Sequence, residues 1–148
     1  MKSLDSYRKI YSQKRNYSIG VEEEFMICDP SSGLLINKAN EIMSLVSDKD
    51  RYSYELLLSE IETNTPICET VRESISFLAK QRSELKDIGE TEGFKIGVSG
   101  THPTALASEQ KFVSNSSYNW VADQLQYYAL RNITFSTHIH ISVDNPDR

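Results

Sequence analysis

Strand-like alternation and helix-like spacing of apolar residues take turns along the chain. From Tyr17 to Cys28, Ile19, Val21, Phe25 and Ile27 alternate with Gly20, Glu22, Glu24 and Met26, the two-residue period of a strand. Tyr52 to Asn64 reads as a second strand, with Leu57, Ser59 and Ile61 on one face and Leu58, Glu60 and Glu62 on the other. Phe94 to Val98 is a short strand, and Phe135 to Val143 is the cleanest one: Phe135, Thr137, Ile139, Ile141 and Val143 alternate with Ser136, His138, His140 and Ser142. Helical spacing appears over Ile36 to Ser47 (Ile42, Leu45, Val46) and over Ser117 to Asn132 (Tyr118, Val121, Leu125, Tyr128, Ala129). The longest helix is expected from Thr65 and Pro66 to Glu92, with a stripe of Ile67, Val71, Ile75, Leu78, Leu85 and Ile88 and a stop at Gly93. The first sixteen residues lack a clear period and read as a flexible or docking arm or a short helix, with Leu4, Tyr7, Ile10 and Tyr11 as its apolar stripe; residues 17–148 read as one domain or part of one.

Half-polar strands separated by helices favour an α+β fold, an antiparallel sheet with helices on one face, over a doubly wound parallel sheet. Composition narrows the function classes. With 39% hydrophobic residues in 148, the chain can bury a core. A net charge of -5 with scattered Lys and Arg speaks against a nucleic-acid surface. The first fifteen residues have no apolar signal segment, and no run approaches the roughly 20 residues that cross a bilayer. A cytoplasmic protein without membrane partners is the expectation. Cys28 and Cys68 lack metal-ligand spacing and read as small buried apolar residues.

The polar faces of the strands carry the candidate chemistry. Glu22 and Glu24, two apart, project from one face of the first strand; Glu60 and Glu62 repeat the device in the second. His138 and His140 do so in the strand Phe135 to Val143, and the remaining histidine, His102, sits in the loop Gly100–Thr101–His102–Pro103. Each pair alone also fits a solvated outer face. If the three strands share a face, carboxylates with a minority of imidazole suit Mg²⁺ or Mn²⁺ better than structural Zn²⁺. No Walker A loop, dinucleotide fingerprint or nucleophile elbow is present.

Four ordered motifs, Gly20-Val-Glu-Glu-Glu-Phe25, Glu60-Ile-Glu-Thr-Asn-Thr65, Gly100-Thr-His-Pro103 and His138-Ile-His-Ile141, resemble the signatures of the bacterial carboxylate–amine ligases called glutamate–cysteine ligase type 2. The resemblance runs from about Ser18 to Arg148. It implies a glutamine synthetase-like fold, a curved antiparallel sheet with helices on its outer side. It also implies ATP-dependent amide formation, in which the γ-phosphate passes to a carboxylate and an amine such as that of an amino acid attacks the acyl phosphate. Glutamate is the family's carboxylate substrate. On the same resemblance Glu22, Glu24, Glu62 and His138 are metal ligands, His140 contacts nucleotide phosphate, Gly100 and Thr101 line the nucleotide and substrate, and His102 is a catalytic candidate. Ser117, Ser136 and Ser142 depart from the family pattern, which favours Arg at the first position and glycines at the other two. Family members continue beyond the histidine pair with basic residues, so the chain is expected to hold much of a metal site and only part of an active site. The alternative is a non-catalytic module, a homo-oligomer paired through the open edge of the Phe135–Val143 strand.

Overall fold

The computed structural model describes residues 3–12, 17–114 and 132–144. Among the described residues, three helices, α1 (Leu4–Ser12), α2 (Ala39–Leu45) and α3 (Val71–Glu92), accompany five strands, β1 (Ile19–Cys28), β2 (Tyr52–Ser53), β3 (Glu60–Asn64), β4 (Lys95–Gly97) and β5 (Thr137–Ile141). The fold is α+β, and every strand pairing is antiparallel. β1 is the central strand. One side of it carries β3, with β2 outside; the other is shared end to end by β4 against Met26–Cys28 and β5 against Ile19–Glu23. The sheet is open. The helix expected over residues 117–132 falls outside the described residues except for Asn132.

The odd-numbered face of β1 makes the main core. Phe25 and Ile27, with Ile61 of β3, pack against Ile42, Val46, Leu85 and Phe94 under α2 and α3. A second cluster, Met26, Leu56, Leu57, Ile133 and Phe135, covers one end of the opposite face. The even-numbered face is therefore apolar and capped at Met26, and polar from Glu24 back to Gly20.

Three expectations are corrected. The strand read over Tyr52–Asn64 is a hairpin: β2 and β3 are its arms, with Tyr52 opposite Thr63 and Ser53 opposite Glu62. Residues 54–59 leave the ladder because their backbone bonds elsewhere, Leu58 N–H to the Lys111 carbonyl at 2.8 Å and the Ala39 N–H to the Leu58 carbonyl at 3.0 Å. The long helix begins at Val71, not near Thr65. Cys68 exchanges two 2.8 Å backbone hydrogen bonds with Ile19, so the chain stays extended alongside β1 until Thr70 caps the helix. The Thr70 hydroxyl accepts from Glu73 N–H at 3.2 Å, while the Glu73 carboxylate accepts from Glu69 N–H at 2.8 Å, a variant of the capping box. Finally, the expected stripe holds only in its second half: Leu85 is buried and Leu78 and Ile88 are half-buried, whereas Ile67, Val71 and Ile75 are exposed, as is Leu45; α3 also buries Ser74, Gln81 and Gly89.

The end of α3 is as read. Gly93 lies at φ +74°, in the left-handed region that favours glycine, and the Gly93 and Phe94 N–H groups both donate to the Gly89 carbonyl. Gly89 has its own reason: a Cβ there would meet the Phe94 carbonyl oxygen at 2.6 Å. In α1, Leu4, Tyr7 and Ile10 are exposed. No helix among the described residues is long and apolar enough to cross a membrane.

Candidate functional site

Strand register decides which polar residues meet. In antiparallel pairs, directly opposed residues project from the same face. Glu24 stands opposite Glu62, Glu22 opposite Asn64 on one side and His138 on the other, Gly20 opposite His140, and Met26 opposite Glu60. One face therefore gathers Glu22, Glu24, Glu60, Glu62, His138 and His140.

The side chains converge further than the backbone requires. His138 Nδ1 lies 3.3 Å from Glu22 Oε2 and 3.9 Å from Glu24 Oε1, and His140 Nε2 is 3.0 Å from the same Glu22 oxygen. The far side of the His138 ring is held by Ser136, whose hydroxyl is 3.0 Å from Nε2. Ser136 also donates its N–H to Glu24 Oε2 at 2.6 Å. The serine that departs from the family pattern thus orients both a carboxylate and an imidazole. Ser53 donates to Glu62 Oε1 at 2.6 Å.

A fifth carboxylate joins them. The 54–59 loop of the hairpin returns Glu55 to the site, and one oxygen each of Glu24, Glu55 and Glu62 lie within 4.8 Å of one another. The sequence reading missed Glu55, because on a continuous strand it would stand seven residues from Glu62 with no cause to approach it. Among the described residues, the ion pairs of these five glutamates are with His138 and His140 alone. Crowded like charges and burial raise the proton affinity of Glu55, Glu60 and Glu62. Burial, then Glu24, Glu55 and Glu62, push the Glu60 carboxyl up to about 9. Burial also raises Glu55, with Glu62 and Glu24 adding to it, and raises Glu62 against the opposing hydrogen bond from Ser53.

Glutamate oxygens in the majority, an imidazole whose Nδ1 faces two of them while Nε2 is fixed by a hydroxyl, and spacings under 5 Å fit a hard divalent cation of the Mg²⁺ or Mn²⁺ kind. Glu24 belongs both to the set with Glu55 and Glu62 and to the set with Glu22 and His138.

The loop residues stand apart from that cluster. His102 Nδ1 accepts from the N–H groups of Ala105 (3.0 Å) and Thr104 (3.3 Å), which leaves the proton on Nε2 to donate to the Gly33 carbonyl at 2.9 Å. Gly33 lies beyond the end of β1, and Glu24 is four residues, about 13 Å, back along that strand. The contacts of His102 therefore staple two loops. Gly100 and Thr101 act closer to the cluster: the Gly100 carbonyl accepts from Phe135 N–H at 3.1 Å, and the Thr101 hydroxyl donates to the Ile133 carbonyl at 2.7 Å. They fix the segment that delivers Ser136 to Glu24. A cavity of about 380 Å³ lined by Pro30, Gly89, Phe94 and Ile96 lies at the C-terminal end of α3, away from the carboxylates. Donor chemistry, not concavity, marks the candidate site.

Fold and site together define an α+β protein with a carboxylate–imidazole face on an open antiparallel sheet. The chain belongs to glutamate–cysteine ligase family 2, whose profile matches residues 18–148. It is 35% identical over 133 residues to a protein of Rubrobacter xylanophilus provisionally named glutamate–cysteine ligase 2-1, a match covering 88% of this chain and 35% of that one. Proteins named glutamate–cysteine ligase from Haloquadratum walsbyi and Natronomonas pharaonis are 35% and 34% identical; the matches cover 88% and 90% of this chain and 37% and 38% of theirs. The chain thus spans little more than a third of the length of these relatives.

Proposed function

We propose that this chain supplies the metal-binding face of an ATP-dependent carboxylate–amine ligase, with an amino acid such as glutamate as the carboxylate substrate and an amine as the acceptor. The observation that carries the reading is the register placing Glu24 opposite Glu62 and Glu22 opposite His138 on one sheet face. Glu22, Glu24, Glu62 and His138, joined by Glu55, would hold Mg²⁺ or Mn²⁺. Bound there, the cation would neutralise phosphate charge, the main requirement of phosphoryl transfer.

The protein's own groups have separable tasks. Ser53, Ser136 and the backbone around Gly100 and Thr101 hold the ligands in place, so little reorganisation accompanies binding. His140 is the most exposed of the convergent groups and, once Glu22 turns to a cation, is free to meet a nucleotide phosphate. His102 serves this site through loop geometry. Formation of the acyl phosphate and attack by the amine are steps proposed for the whole ligase.

Calorimetric titration with Mn²⁺, then with ATP, tests the reading. The wild-type chain should bind Mn²⁺, and ATP should bind measurably only when the cation is present. Glu24→Gln and Glu62→Gln should each weaken Mn²⁺ binding by about tenfold or more. A folded wild-type chain that takes up no Mn²⁺, or Glu62→Gln binding as the wild type does, would sink it.

A further inference from the structure

Gln81 and Arg82 are consecutive residues of α3, on the side of the sheet away from the carboxylates. Gln81 Nε2 donates to the Asn64 carbonyl of β3 at 2.9 Å and to the Arg51 carbonyl at 3.2 Å. Arg82 forks onto Glu23 of β1, with Nε donating to Oε2 at 2.9 Å and Nη2 to Oε1, while its guanidinium lies 5.8 Å from the centre of the Phe25 ring. Glu22 faces Asn64 and Glu23 faces Thr63, so both anchors fall directly behind Glu22, Glu24 and Glu62.

Glu23 is out of place by the alternation rule. Its face of β1 otherwise carries Ile19, Val21, Phe25 and Ile27, and its side chain is only 7% exposed against 49% for Arg82. An apolar residue there would pack without desolvating a charge, and replacing such pairs by apolar side chains is often neutral or stabilising. Stability alone does not call for the pair. A bidentate fork does add direction, because it fixes the strand against the helix in a way apolar contact does not.

We propose that the Gln81–Arg82 step is a brace that positions the cation-facing carboxylates: it fixes β1 against β3 so that Glu24 and Glu62 stand opposite one another at ligating separation. Glu23 and Arg82 act through the strand and touch no ligand. This inference rests on the metal reading above, and its test separates the two.

The variants are the double substitution Glu23→Leu/Arg82→Met, which keeps the interface apolar, and Arg82→Lys, which keeps the charge and loses the fork. Amide residual dipolar couplings are measured with EDTA present, and Mn²⁺ affinity is then measured by calorimetry. The double variant should keep its circular dichroism spectrum, shift the couplings of residues 22–24 and 62–64, and lose about 10- to 100-fold in Mn²⁺ affinity. Arg82→Lys should fall between it and the wild type, and it carries the test if the double variant does not fold. Wild-type couplings in a folded variant, or shifted couplings with wild-type Mn²⁺ affinity, overturn the brace. A wild-type chain that binds no Mn²⁺ overturns the metal reading, and the couplings then decide the brace by themselves.

Discussion

Replacing Glu60 by Gln should stabilise the cation-free protein at neutral pH, and the effect should vanish in acid. The Glu60 carboxyl is buried at the capped end of the polar face, beside Glu24, Glu55 and Glu62, and is held up to about 9 from an ordinary value of 4.5. Its folded-state value lies above its unfolded one, so the folded chain retains a proton that the unfolded chain releases. The penalty is absent below about pH 4.5, grows as the pH rises, and levels off near 9. About 2.5 pH units separate pH 7 from the ordinary value, and at 1.36 kcal/mol per unit this amounts to about 3 kcal/mol. That is a large share of the 5–15 kcal/mol typical of a domain. Glu60→Gln keeps the shape and removes the titration. Urea unfolding followed by circular dichroism, with EDTA present, should show the wild type losing about 3 kcal/mol more than the variant between pH 4.5 and 7. Parallel stability profiles across that range would refute the burial argument.

Other substitutions probe the scaffold. Gly89→Ala sets a Cβ against the Phe94 carbonyl and should cost about 1–3 kcal/mol in urea unfolding; an unchanged midpoint would contradict the close approach. Thr70→Ala removes the cap of α3 and should cost about 1 kcal/mol, visible as a lower thermal midpoint. His102→Ala unties the Gly33 and Thr104–Ala105 loops, so it should lower stability by about 1 kcal/mol or more and leave Mn²⁺ affinity unchanged in calorimetry. A large loss of Mn²⁺ affinity in that variant would contradict a purely loop-holding role for His102.

Period-two patterning was enough to place β1 and β5 and to pair Glu22 with Glu24 and His138 with His140, because a strand's alternation is local. The end of α3 was equally local, since Gly93 meets a demand for positive φ that needs no partner elsewhere in the chain. What local pattern does not contain is which strand lies beside which. The hairpin hidden in Tyr52–Asn64 depends on bonds from Leu58 to Lys111 and Ala39, far away in the chain, and with it went Glu55. The start of α3 was lost for the same reason: the ladder between Cys68 and Ile19 holds residues 66–69 extended against their helical spacing. A local signal was nonetheless there, since Thr70 to Glu73 spells a capping box. Nothing in the local pattern accounts for Glu23 on an otherwise apolar face; its partner Arg82 lies 59 residues on.

The most direct test of the account is to locate the ion. A crystal of the chain grown with Mn²⁺, with diffraction recorded at the manganese edge, should show anomalous density among Glu22, Glu24, Glu55, Glu62 and His138, with Glu24 and Glu62 oxygens at about 2 Å. The same crystal of Glu62→Gln should lose that density. Anomalous density elsewhere with these carboxylates bare, or equal density in both crystals, would contradict the claim that this sheet face is a cation site.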